Sequence, residues 1–233
     1  MDGAVTKAPP APLSVASALE RRVSVRAFLD RPVPREIIER IVRQAARAPS
    51  GGNLQPWHVR IIDGSDMAAF KALMDQRIRE APDSEPMPAP FYPDPLTSAQ
   101  LRRRQRNGEI LYAALGIDRT DMAARRAWNA LNFRFFGAPS GVFLFLDRNA
   151  TPFQWLDLGI YLQSLLLLLA ENGLEACPQA DWAMYGETVS GALGVDQALM
   201  LVCGVAIGHA DPAHPENHIR TERDDPLAQE RNG

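Results

Sequence analysis

The chain has 233 residues, 46% hydrophobic and 23% charged, a balance that supports one globular unit and excludes intrinsic disorder. Its formal net charge of -3 gives no electrostatic basis for a nucleic-acid or anionic-membrane partner, so any bound anion must meet a local cluster of arginines. Two cysteines, Cys177 and Cys203, make no disulfide framework in a chain this long and point to a reducing, cytoplasmic setting.

Residues 1–14, with Pro9, Pro10 and Pro12, read as a flexible tail without the continuous apolar core of a secretory leader. A short helix is expected over 15–22. Ile37, Ile38, Ile41, Val42 and Ala45 recur at helical spacing between Pro34 and Pro49, which predicts an amphipathic helix over 35–48. A glycine-containing loop follows at 49–56, then an alternating, β-branched strand at 57–62 closed by the Asp63-Gly64 turn signal. Helical spacing returns over 67–80.

Residues 81–95 hold six prolines and predict an extended surface loop. Helical pieces with exposed charge are expected at 101–106 and 109–128, so 81–128 reads as a lid or insert. Continuous apolar runs at 141–147 and 199–207 predict buried strands. Between them lies a helix over 156–172, apolar on nearly all sides, with Gly173 placed for a left-handed cap. Asp157, Gln163 and Ser164 interrupt it, so it falls short of the roughly 20 apolar residues of a membrane span. Strands are too few and too widely spaced for serial βαβ units, so the expected class is α+β, one domain over 15–227, with a second tail at 228–233.

Two constellations carry chemistry. Arg21, Arg22, Ser24 and Arg26 place four hydrogen-bond donors within six positions, a set suited to a phosphate, although a solvated basic helix end has the same composition. The segment APSGGNLQPW, 48–57, leads a helix end into a Gly-rich turn carrying Ser50, Asn53 and Gln55. Gly51 and Gly52 allow backbone amides to approach a planar ligand, and Asn and Gln can match the edge of a heterocycle. It is neither a Walker loop nor a GxGxxG fingerprint.

RRVSVRAF at 21–28, followed by APSGGNLQPWHV at 48–59, resembles the opening of the FMN-dependent nitroreductase family. Five further pieces continue the resemblance in family order. These are NFRFF with Ala138-Pro139, DLGIYLQSLLLLLAENGLEACPQADW, the Leu-Gly pair at 193–194, CGVAIG, and IRTERDDPL. The family implies a three-layer sandwich with a mixed, mainly antiparallel sheet flanked by helices, built as a domain-sharing homodimer.

The resemblance further implies bound FMN, with NADPH or NADH as electron donor and a small oxidised aromatic as acceptor. Arg22 and Ser24 would meet the FMN phosphate, Val23 between them would belong to the cofactor site, and Arg26 would meet the N1 and O2 edge. Pro49, Ser50, Gly51, Asn53 and Gln55 would line the ring and ribityl chain. From the other subunit or the opposite side, Asn132 would approach the pyrimidine edge, and Pro178, Gln179 and Ala180 would pass over N5. Arg220 and Arg223 would close the phosphate site. Val23 and the pair Asp224-Asp225 depart from the usual pattern and leave the phosphate roles of individual arginines open. Hydride chemistry belongs to the cofactor at N5, so no catalytic residue of the nucleophile or acid-base kind is implied. A cation at Arg26 would favour two-electron over one-electron transfer.

Plainer readings stand beside these. His209, His214 and His218 have no metal-ligand spacing, so no metal is expected. Cys177 has no neighbouring base and reads as a buried thiol. The leucines at 165–169 suit a dimer interface or a core. Phe91, Tyr92, Tyr112 and Trp128 either cover the flavin or simply pack. Three functions remain open: NAD(P)H-dependent reduction of nitroaromatics or quinones, another flavin reaction such as dehalogenation or flavin breakdown, and a flavin-binding module without turnover.

Overall fold

The computed structural model describes residues 13–228; most of the two expected tails, 1–12 and 229–233, lies outside them. Four strands, β1 (His58–Asp63), β2 (Ser140–Asp147), β3 (Glu175–Gln179) and β4 (Leu199–Gly208), form one sheet in the order β1-β2-β4-β3. All three pairings are antiparallel, and the parallel component is a bridge between Ser24 and Ala176 on the outer edge of β3.

The strands read as unbroken apolar runs because both faces of the sheet are covered. Along β2, Val142, Leu144 and Leu146 enter one core with Ile38, Ile41, Leu165, Leu169 and Ile207. The alternate residues Phe143 and Phe145 enter the other with Phe70, Met74, Trp182 and Tyr185. Helices α2 (Arg35–Ala45) and α6 (Pro152–Glu171) supply the first outer layer. The second comes from α3 (Gly64–Glu80), the 3-10 turn Ala180–Tyr185 and α7 (Gly186–Ala192). The three-layer sandwich expected from the resemblance is therefore present, and each fully buried Leu or Ile contributes about 1.5–3 kcal/mol.

Boundaries shift for local reasons. Gly64, at φ +53°, makes its turn and opens α3 at once, three residues before the expected start. Helix α6 starts four residues early because Pro152 suits a first turn and the Gln154 side chain accepts from the Thr151 N–H at 3.0 Å. It ends at Gly173, φ +72°, with Leu174 N–H donating to the Leu169 carbonyl at 3.0 Å, the left-handed cap that was expected. By length and composition α6 could cross a membrane, yet Leu158, Tyr161, Leu165 and Leu169 pack in the core.

The insert resolves into α4 (Ser98–Ala114) and α5 (Met122–Ala130), which with α1 (Val15–Arg21) complete the α-helices among the described residues. Its proximal end is not free. Glu85, with its side chain 10% exposed, pairs with Arg77, accepts from the Glu187 and Thr188 N–H groups at 2.7 and 3.1 Å and so caps α7.

Candidate functional site

The site begins at the outer edge of β3. After α1 the chain runs extended, with Val25 N–H donating to the Ala176 carbonyl at 3.1 Å and Leu29 N–H to the His209 carbonyl at 2.9 Å. Burial alternates along it: Val25 and Ala27 enter the interior while Arg22, Ser24 and Arg26 stay partly exposed. An extended backbone puts alternate residues on one side, so Arg22, Ser24 and Arg26 share a face. Val23 lies with Leu166, Ala170 and Leu174 around a small gap, which leaves its backbone as the part available to a ligand.

Asn217 holds this row in place. It accepts the Arg26 N–H at 2.8 Å and donates to the Ala27 and Asp211 carbonyls at 2.8 and 2.9 Å. Asn217 is 7% exposed, so all three bonds lie largely out of water. Arg220 follows, its guanidinium donating to the Ile219 and Asn217 carbonyls at 3.1 and 3.4 Å. Arg223 instead folds back on Thr221 and Glu222, so of the two C-terminal arginines Arg220 stays nearer the row.

Asn132, Pro178, Gln179 and Ala180 gather at the end of β3. The buried Gln179 amide donates to the Asn132 backbone and side-chain oxygens at 2.8 and 3.2 Å, and its carbonyl accepts from Trp182 Nε1 at 3.3 Å. That side chain is fully used, which leaves the backbone at Gln179–Ala180 as the surface a ligand would meet. Trp182 is wholly buried, and Gly204 makes room for it: a Cβ there would stand 2.4 Å from Trp182 Cδ1. Arg26 lies close enough to Asp181 and Cys177 to oppose the effect of burial on both, but burial wins, and both groups titrate above their usual values. Cys177 is pushed up to about 11 and Cys203 to about 12, so neither is an activated nucleophile.

The Gly-rich loop stands elsewhere. It precedes β1 at the opposite sheet edge from β3, three strand spacings or about 14 Å away. The Gly51 N–H points at both carboxylate oxygens of Asp157, each at 3.2 Å, and Gln55 N–H donates to Ser50 Oγ at 2.9 Å. Gly52, Asn53 and Gln55 all have φ between 49° and 57°, left-handed conformations that are costly for side-chain-bearing residues and collect at functional sites. The sequence reading grouped this loop with Arg22–Arg26 and set Asn132 and Pro178–Ala180 opposite. Within one chain Asn132 and Pro178–Ala180 lie beside the arginine row, and Pro49–Gln55 stands at the opposite sheet edge.

Asp157, Asn217 and Trp182 were not predicted as site residues. Asp157 carried one available signal, a carboxylate inside an apolar helix that must find a partner when buried. The histidines are used separately: His214 lies 3.3 Å from Glu216, and His218 meets the Pro212 carbonyl at 2.9 Å.

A model of the nitroreductase family matches residues 19–209. The chain is 36% identical over 203 residues to a 4-nitrobenzoate reductase of Pseudomonas putida, covering 87% of this chain and 88% of that one. It is 35% identical to nitroreductase NfnB of Mycolicibacterium smegmatis, covering 91% of each. The crystal structure of an FMN and NADPH-dependent nitroreductase NfnB from Sphigopyxis sp. strain HMH superposes with a TM-score of 0.88 at 46% identity, over 93% of this chain and 97% of that one. The chain belongs to the nitroreductase family.

Proposed function

We propose that this chain binds FMN between two copies of itself and passes two electrons from NAD(P)H to a nitroaromatic or quinone-like acceptor in a ping-pong cycle. The observation that carries the reading is the row Arg22, Ser24 and Arg26, set along β3 and ending beside Asn132 and Gln179. A row of two guanidiniums and a hydroxyl suits a phosphate and the electron-rich edge of a ring, and the family's solved members include FMN-dependent enzymes. Bound FMN supplies the hydride chemistry.

Everything else falls to the chain's own groups. Arg22, Ser24 and Arg220 hold the phosphate, with Arg223 second to them. Arg26 places a positive charge at the pyrimidine edge, where negative charge accumulates on reduction. The backbone at Gln179–Ala180 faces the reacting edge, and Asn132, steadied by Gln179, faces the pyrimidine. The loop Pro49–Gln55 completes the site from the second copy, because its own half of the site lies a sheet's width away. Beside that loop Leu54, Phe153 and Leu156 are 64%, 74% and 61% exposed, an apolar surface that pairing would cover. Free, buried cysteines agree with a cytoplasmic setting.

The test is spectral. Purified protein should be yellow, bleach on anaerobic addition of NADPH or NADH, and recolour when 4-nitrobenzoate is added. Protein that takes up no FMN would sink the reading, and protein that bleaches but never recolours with any nitroaromatic would leave a flavin-binding module.

A further inference from the structure

Helix α4 is unusual for a 17-residue helix in that none of its residues is buried. Helices of this length gain most of their stability from packing, so both faces of α4 want a partner. One face, at helical spacing, bears Arg102, Arg103, Arg106 and Ile110. It forms one wall of a cleft of about 760 Å³, and the C-terminal stretch 221–226 forms the other. A cleft of that size suits a nucleotide-sized ligand. Three guanidiniums on α4 face three carboxylates and Arg223 across it, with Ala99, Ile110 and Pro226 adding apolar surface.

Among the described residues, two of the α4 arginines form ion pairs within the cleft. Arg103 pairs with Asp224 at 2.5 Å and Arg106 with Glu222 at 3.9 Å; Arg102 makes no ion pair among the described residues. The paired side chains are 59–76% exposed, where an ion pair contributes little because water and salt screen it. A phosphate dianion, with three acceptor oxygens and a bidentate fit to guanidinium, competes well against one carboxylate. The stretch 221–226 continues from Asn217, the residue that holds the Arg26 backbone, so the cleft is tied to the arginine row by a few residues of chain.

The geometry points to a binding site in this cleft for the 2′-phosphoadenosine end of a dinucleotide donor. Arg102, Arg103 and Arg106 read the 2′-phosphate, and Asp224 and Glu222 are internal carboxylates that it displaces. The inference rests on the reductase reading and adds to it a preference for NADPH over NADH with its residues named.

The test uses flavin-loaded, full-length protein and two non-reducing probes. By isothermal titration, adenosine 2′,5′-bisphosphate should bind at least tenfold more tightly than either 5′-AMP or inorganic phosphate. The double variant R102Q/R106Q should bring that ratio close to one and lower the NADPH-to-NADH ratio of kcat/KM by a similar factor. Asp224→Asn, which removes one of the two competing carboxylates and leaves every arginine, should tighten bisphosphate binding severalfold. Wild-type protein that does not discriminate the probes overturns the site, as does a double variant that keeps the ratio. Equal binding of inorganic phosphate and the bisphosphate also overturns it, leaving a simple anion site. Bleaching of the flavin by NADH is read on the same samples, so failure of the reductase reading shows there and not in the titration.

Discussion

The Gly51 N–H lies 3.2 Å from both carboxylate oxygens of Asp157, a residue 106 positions later on α6. One buried carboxylate therefore fixes the start of a loop whose Gly52, Asn53 and Gln55 are all held at positive φ. A charged acceptor strengthens such a bond, and the left-handed residues raise the cost of the loop's ordered state. Asp157→Ala should lower stability by about 1–3 kcal/mol, the range for a lost charge-assisted bond that strands a partner. It should also weaken FMN retention at least tenfold. Asp157→Asn, which keeps one acceptor oxygen, should fall between. Urea unfolding and fluorimetric FMN titration check the two effects, and unchanged FMN affinity in the Ala variant would separate the loop from the cofactor.

Arg26 is placed by its backbone bond to Asn217, and among the described residues its guanidinium forms no ion pair and donates to the Ser24 carbonyl at 3.4 Å. Its charge is consequently available to a ligand. Arg26→Gln keeps a donor and removes the charge, and should lower the two-electron midpoint potential of the bound flavin by about 30–60 mV, using the equivalence of about 30 mV to 1.4 kcal/mol for a two-electron couple. Potentiometric titration with a reference dye measures it. A shift below about 10 mV would show that Arg26 serves geometry and not charge. Asn217→Ala, acting through the backbone, should reduce FMN affinity with a smaller change in potential.

The parts of this fold that were legible in sequence are those set by local periodicity. Strands β2 and β4 announced themselves because both faces are buried, and α2 because one face is. Strand β3 did not: it is five residues long and contains Pro178, which a sheet tolerates only near an edge. The edge is where β3 sits, with the Ser24–Val25 segment beyond it. In the site, the arginine row and the Gly-rich loop were visible as composition, and the family resemblance ordered them. Their grouping was not visible, since it depends on which sheet edge each adjoins. Nor were Asp157 and Asn217, whose partners lie 106 and 191 residues away. A lone polar residue carries no periodic signal that could name so distant a partner.

Gly204 offers a test of how rigidly the end of β3 is supported. A Cβ at this position would stand 2.4 Å from Trp182 Cδ1 and 2.8 Å from Nε1, inside contact distance for both. Trp182 also packs at 4.7 Å from Phe135 and 5.2 Å from Phe143 between ring centroids, so it has little room to retreat. Gly204→Ala should cost about 1–3 kcal/mol as overpacking, and Tm should fall by roughly 2–4 °C for each kcal/mol. If the indole does move, its bond to Gln179 breaks, Gln179 loses its hold on Asn132, and FMN affinity drops with stability. Differential scanning calorimetry and FMN titration on one preparation read both; a stable variant with normal FMN binding would mean that the turn Ala180–Tyr185 adapts freely.

The two buried thiols make stability fall as pH rises into the alkaline range. Burial raises Cys177 to about 11 and Cys203 to about 12 from an ordinary value near 9. Between roughly pH 9 and 11 the unfolded chain therefore loses its thiol protons while the folded chain keeps them, so the unfolded state binds fewer protons and stability falls as pH rises. Below pH 9 the two states hold the same thiol protons and this contribution is flat. Cys203→Ala and Cys177→Ala each remove one titrating group, so each variant should show a shallower decline in urea midpoint above pH 9 than the parent. The same burial should keep both thiols unreactive to iodoacetamide at pH 8 in the folded protein and expose both in urea. Rapid alkylation of Cys177 in the folded, flavin-free protein would mean that the end of β3 opens when the cofactor leaves, and the pH argument would then apply to Cys203 alone.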